Sequence, residues 1–125
     1  MTTGTLLFAH GARDPEWARP FEAVLQALQA ARPASPAVLA FLEFMQPDMD
    51  TAGDRLVAAG CTSVALIPLF LGTGGHVRKD VPRLLQALQQ RHPQVQWSLQ
   101  APIGDHPLVR QAMVDACLTA TMGTP

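Results

Sequence analysis

Two histidines and a glutamate stand where the chain changes character. His10 ends the apolar run TLLFA, Glu43 interrupts the run AVLAFLEF, and His76 follows the run VALIPLFL across Gly72, Gly74 and Gly75. Neutral imidazole is a common ligand for Fe, Co, Ni and Zn, and needs little help to stay neutral near pH 7. A carboxylate closing an apolar strand is costly to desolvate unless it is paired, protonated or on a metal. Glu43 therefore reads as ligand or base, or more plainly as a solvated strand end paired with an arginine. One such histidine alone reads first as a loop cap; two, each beside a glycine at a strand end, favour ligation. The three recur at equal intervals of 33 residues, close to one β-plus-α unit of roughly 30 residues. Each is therefore expected at the carboxyl end of a successive strand. Arg13, Arg78 and Lys79 lie near the histidines in sequence, where cations can hold carboxylates or phosphates; singly, each also reads as a solvated surface charge.

The elements that must position these residues follow from periodicity. Four apolar stretches, Thr5 to Ala9, Ala37 to Phe44, Val64 to Leu71 and Val95 to Ile103, read as strands. The third lacks polar alternation, as in a strand covered on both faces; the fourth alternates, as at an edge. Asp14 is a good N-cap and Pro15 suits the first helical position. The helix after them places Trp17, Phe21, Val24, Leu25 and Leu28 on one face, with Pro20 expected to delay its regular part. A second helix runs from Asp48 toward Gly60, a fitting C′ residue. The third, from about Asp80 to Arg91, buries Val81, Leu84, Leu85 and Leu88. The last, from Gly104-Asp105-His106-Pro107, is expected to bury Leu108, Val109, Ala112, Met113, Ala116 and Cys117, and Thr121 to Pro125 to fray.

This βαβαβαβα order with short connections predicts one domain over residues 1–120. Its fold is an open, three-layer α/β structure with a parallel four-stranded sheet and right-handed crossovers. In the flavodoxin-like order 2-1-3-4, strands one and three adjoin while their connections leave in opposite directions, which opens a crevice between His10 and His76. The GTGGH cluster lets the backbone turn sharply; it lacks GxGxxG and the P-loop lysine. His92 and His106 suit helix ends, and Met45 and Met49 suit packing.

Composition excludes several classes. Nine Lys plus Arg against ten Asp plus Glu gives a net charge of -1, without the basic field that grips nucleic acid. No apolar run approaches the roughly 20 residues of a membrane span. Cys61 and Cys117 form no CxxC pair and imply a reducing interior; the expectation is a soluble, cytoplasmic protein.

The segments LLFAHGARDP, FLEFMQPDM and VALIPLFLGTGGHVRKDVP, spaced as here, resemble the class II tetrapyrrole chelatases, in particular the short single-domain CbiX type of sirohydrochlorin chelatase. The likeness covers nearly the whole chain. It implies that His10, His76 and Glu43 bind an incoming divalent ion. It also implies insertion of Co2+, or in related enzymes Fe2+ or Ni2+, into sirohydrochlorin for cobalamin- or sirohaem-type cofactors. No cofactor is then permanently bound, because the metal is substrate. Short members of the family pair as homodimers, so a homodimer is implied. Arg13, Arg78 and Lys79 are implied anchors for substrate carboxylates. Alanine stands where serine is common before Arg13, and no histidine- or cysteine-rich extension suggests an Fe–S cluster. Three rivals stay open: a metal carrier using the same pocket without turnover, a phosphohistidine enzyme at His10, and a flavin-binding module.

Overall fold

The computed structural model describes residues 2–72 and 74–122; the side chain of His76 and residues 123–125 lie outside that description. Strands β1 (Thr3–Ala9), β2 (Ala37–Phe41), β3 (Ser63–Pro68) and β4 (Gln96–Leu99) alternate with helices α1 (Arg19–Ala31), α2 (Met49–Ala58), α3 (Gly75–Arg91) and α4 (Pro107–Met122). The four strands form one parallel sheet in the order β2-β1-β3-β4, the order expected above. Central β1 is closed on one side by β2, with Leu7 opposite Leu39, and on the other by β3, with Leu6 opposite Leu66.

Period-2 alternation sorts the apolar side chains into two layers. Leu6, Phe8, Val64, Leu66 and Trp97 meet Ala52 and Leu56 of α2 and Val81, Leu85 and Leu88 of α3. On the other face, Leu7, Ala9, Leu39 and Phe41 meet Trp17, Phe21, Leu25 and Leu28 of the α1 region. The connections of β1 and β3 therefore leave toward opposite faces, and the switch point lies between them. Val24, expected with the α1 core face, is about half exposed.

Local chemistry sets the helix boundaries. The Asp14 side chain accepts from the Glu16 N–H, and a 3-10 turn (Pro15–Ala18) precedes α1, so Pro20 sits at the second position of the regular helix. That is the delay expected of it. The Asp48 side chain caps α2 through the Thr51 N–H. At the other end Gly60, at φ +93°, closes α2 with bonds from its own N–H to Val57 O and from Cys61 N–H to Leu56 O, the paired bonds of a Schellman motif.

Several boundaries differ from expectation. Strand β2 stops at Phe41, so Glu43 lies in the bend after it; β4 ends at Leu99, before a short 3-10 turn (Ile103–Asp105). Helix α3 starts at Gly75, five residues early, because extended Gly74 caps it and Pro82 is accommodated inside the helix rather than at its start. Arg78 and Lys79 are thus helical. Gly72, Gly74 and Gly75 do not adopt positive φ, and a Cβ on any of them would meet open space; the sharp glycine turn expected there is not what these residues supply. The largest departure is α4, none of whose residues is buried. Leu108, Met113, Val114, Leu118 and Met122 are exposed, as are Ala112, Ala116 and Cys117, and only Val109 is partly covered. Thr121 and Met122, expected to fray, continue the helix; the rest of the expected tail, 123–125, lies outside the described residues.

A polar clasp joins α2 to the end of α3. Asp54 accepts from Arg91 at 2.5 Å and from His92 Nε2 at 2.6 Å. The His92 hydrogen bond foremost, with help from Arg91, holds the Asp54 carboxyl below its usual range against a partial opposing effect of burial. A carboxyl depressed in the folded state stabilises the fold above its unfolded pKa, and that contribution is lost as pH falls through the folded value. Asp54→Asn is therefore expected to cost about 1 kcal/mol or less at pH 7, the side chain being 41% exposed and its ion pair screened. Urea melts should show the wild type and variant converging as pH falls through the depressed folded value of the Asp54 carboxyl.

Candidate metal centre at the carboxyl edge of the sheet

The pairing of β1 with β2 continues past both strands. Leu42 N–H donates to Ala9 O at 2.9 Å, and Glu43 N–H donates to His10 O at 3.1 Å. This backbone ladder places His10 beside Glu43, although 33 residues separate them in the chain. Gly11 makes the approach feasible. Its φ is +90°, and a Cβ there would stand 1.9 Å from the Glu43 carbonyl oxygen.

His10 Nε2 lies 3.7 Å from Glu43 Oε1. That exceeds an ordinary hydrogen bond, yet two donors this far apart can share one ion at bond lengths of about 2.1 Å. His10 Nδ1 lies 3.1 Å from Gly11 O. A carbonyl oxygen only accepts, so Nδ1 carries the proton, and in the neutral ring Nε2 is left able to accept or to ligate. An unprotonated imidazole nitrogen and a carboxylate this close are two groups able to ligate one cation. Locking the tautomer through the second ring nitrogen is also how metal-binding histidines are held in orientation.

Glu43 departs from expectation in one respect. Its side chain is 48% exposed, so it is not a desolvated carboxylate. It sits beyond the strand, where the chain bends back to let Phe41 N–H bond Pro47 O. The group beside it is His10, in the place that the plainer reading gives to an arginine.

His76 falls in the first turn of α3, after β3, the strand next to β1; its side chain lies outside the described residues. Among the described residues no group of three His, Cys, Asp or Glu side chains is clustered to hold a metal, so the described centre is the pair His10–Glu43. Arg78 and Lys79 lie near the amino end of α3, and Arg78 borders an apolar hollow of about 140 Å³ with Phe70, Val77, Val81 and Leu99. The first turn of α3 carries no acidic residue, so its positive dipole end is not neutralised there. Arg13 turns instead to Phe44, its guanidinium carbon 5.0 Å from the ring centroid. His92 and His106 take the helix-end roles expected of them: His92 caps α3, and His106 Nδ1 accepts from Leu108 N–H. Met49 is buried and Met45 packs beside α1, both as expected.

Gly11 and Phe44 fall inside the segments LLFAHGARDP and FLEFMQPDM, but neither is of a residue type that marks it there as a site residue. For Gly11 the signal is its place directly after His10. Phe44 gives none, because an aromatic at the end of an apolar run reads as strand.

An open parallel sheet with an imidazole and a carboxylate 3.7 Å apart beside its switch point defines an α/β protein with a candidate ligand site at its carboxyl edge. The chain belongs to the CbiX family, whose model matches residues 4–120. It is 35% identical over 82 residues to the sirohydrochlorin cobaltochelatase of Saccharolobus solfataricus, covering 66% of this chain and 62% of that one. It is 30% identical over 104 residues to the sirohydrochlorin ferrochelatase of Bacillus subtilis, covering 83% and 40%. The match thus spans less than two thirds of the length of these curated relatives. Among solved structures, a CbiX protein of Marinobacter aquaeolei VT8 named for cobalamin (vitamin B12) biosynthesis matches with a TM-score of 0.85 at 30% identity, over 98% of this chain and 99% of that one. The sirohydrochlorin chelatase SirB of Bacillus subtilis subspecies spizizenii, in complex with cobalt, matches with a TM-score of 0.80 at 29% identity, over 92% of this chain and 49% of SirB.

Proposed function

We propose that this protein inserts a divalent metal ion, Co2+ foremost with Fe2+ or Ni2+ as alternatives, into sirohydrochlorin. The observation that carries the reading is the approach of His10 Nε2 to the Glu43 carboxylate at 3.7 Å, with His10 Nδ1 on Gly11 O. Metallation replaces two pyrrole N–H protons by one M2+ and releases two H+. The protein must present an ion that has shed part of its water, keep coordination positions open for the incoming nitrogens, and provide an acceptor for the protons. His10 and Glu43 present the ion from one side, with His76 as the third ligand from α3. As ring nitrogens take over the metal, Glu43 is released to accept a proton. Arg13, Arg78 and Lys79 hold peripheral carboxylates of the substrate. No cofactor is resident in this scheme; the metal enters as substrate and leaves in the product.

The test is to mix the protein with anaerobic sirohydrochlorin and one divalent ion at a time, following the Soret and visible bands. Acceleration over the spontaneous rate with Co2+, Fe2+ or Ni2+ is expected; none with any of them refutes the assignment. Tight ion binding with no spectral change in added sirohydrochlorin identifies the rival, a metal carrier.

The working unit is a homodimer. Helix α4 supports this, since its sixteen residues contain only two charges, Arg110 and Asp115, and none is buried. So apolar a helix is unfavourable in water. Leu118→Glu is expected to shift the sedimentation coefficient to that of a single chain with the helical circular dichroism retained; a wild type that already sediments as one chain removes the dimer. The setting is the reducing cytoplasm, in keeping with the free thiols of Cys61 and Cys117. No described helix is long and apolar enough to cross a membrane.

A further inference from the structure

Phe44 is held in a way that its own fold does not repay. Its φ is +66°, a left-handed backbone that a bulky side chain rarely adopts and that glycine or asparagine would take with less strain. The strain does not serve the core, because Phe44 remains 58% exposed. The ring is nonetheless ordered from outside: the Arg13 guanidinium lies over it at 5.0 Å. Both residues flank the cation pair, Phe44 following Glu43 and Arg13 standing three residues after His10. Strained backbone at a non-glycine residue gathers at ligand sites, where the strain fixes a side chain for use.

We infer that Phe44 is a stacking platform that positions the flat conjugated face of the substrate over the His10–Glu43 pair. This rests on the proposed function and adds to it a residue that selects for an extended aromatic ring. The chemistry is that of any aromatic side chain receiving a conjugated ligand: face-to-face or offset contact, sequestered from water, with a cation at the ring edge for an acidic substituent. Arg13, stacked over one face of the Phe44 ring, supplies that cation and leaves the opposite face for the substrate.

The test uses Phe44→Gly, Phe44→Leu and Phe44→Tyr in the full chain. Sirohydrochlorin is titrated without metal, metallation is followed with metal, and thermal unfolding is recorded for each. Phe44→Gly is expected to weaken sirohydrochlorin binding about 10-fold, in line with stacking on an aromatic side chain. The KM for the metal should stay within twofold, and the melting temperature should match or exceed that of the wild type, because the left-handed strain is relieved. Phe44→Leu, apolar but without a ring, should fall near the glycine variant, and Phe44→Tyr should bind within about twofold of wild type. Unchanged sirohydrochlorin affinity in the glycine and leucine variants overturns the inference, as does a loss that tracks a fall in melting temperature. A wild type that binds sirohydrochlorin without metallating it defeats the proposed reaction and leaves the platform standing on the titration; a wild type that does not bind it at all defeats both.

Discussion

His10→Ala is expected to slow sirohydrochlorin metallation by about 100-fold or more, the range lost when a positioned catalytic side chain is removed. The side chain is 46% exposed and contributes little packing, so the melting temperature should move by no more than a few degrees. Glu43 would then face the rim without the imidazole, leaving a single carboxylate to compete with water for the ion. Glu43→Gln keeps the shape and one neutral acceptor, and its loss should be smaller in ion binding than in turnover if the carboxylate also takes a pyrrole proton. Stopped-flow absorbance under saturating and limiting metal separates the two effects. Wild-type rates in His10→Ala would remove the imidazole from the reaction whatever the fate of Glu43.

Gly11→Ala is expected to destabilise the fold by about 3–5 kcal/mol, combining a strained left-handed residue with backbone overlap. Two causes act together, the φ of +90° and the 1.9 Å approach of a Cβ to the Glu43 carbonyl oxygen. Gly60→Ala separates them. Gly60 has nearly the same φ, +93°, but a methyl group there would meet nothing within 4 Å, so it should cost only about 1 kcal/mol. Denaturant melts of the two variants give the overlap by difference. If they unfold alike, the close approach carries no energy and the ladder between His10 and Glu43 yields easily. In a surviving Gly11→Ala fold the ladder must part, and ion affinity should fall with it.

The sheet order was legible because its determinants are local. Four apolar runs separated by helix-length segments, together with the capping residues Asp14 and Asp48 and the stop at Gly60, leave few arrangements with short right-handed connections. The equal spacing of His10 and Glu43 was legible for the same reason, since both follow strands of one repeating unit. The start of α3 was not. The sequence pattern starts it near Asp80, whereas the helix begins at Gly75 and carries Pro82 in its interior. Helix α4 misled in the opposite sense: apolar spacing marks a surface that wants cover, but says nothing about which molecule covers it. Glu43 was found through its oddity in an apolar run, and the inference from oddity to burial failed because β2 ends at Phe41. Phe44 required φ, which composition does not encode.

The bonds from Leu42 to Ala9 and from Glu43 to His10 have a mechanical corollary. They splice the first two loops into the sheet, so the backbones that carry the imidazole and the carboxylate cannot separate without breaking the splice. The same device recurs past β3, where Leu69 N–H donates to Phe8 O and Gly104 N–H to Phe70 O, so the rim on both sides of β1 is fastened to the sheet beneath it.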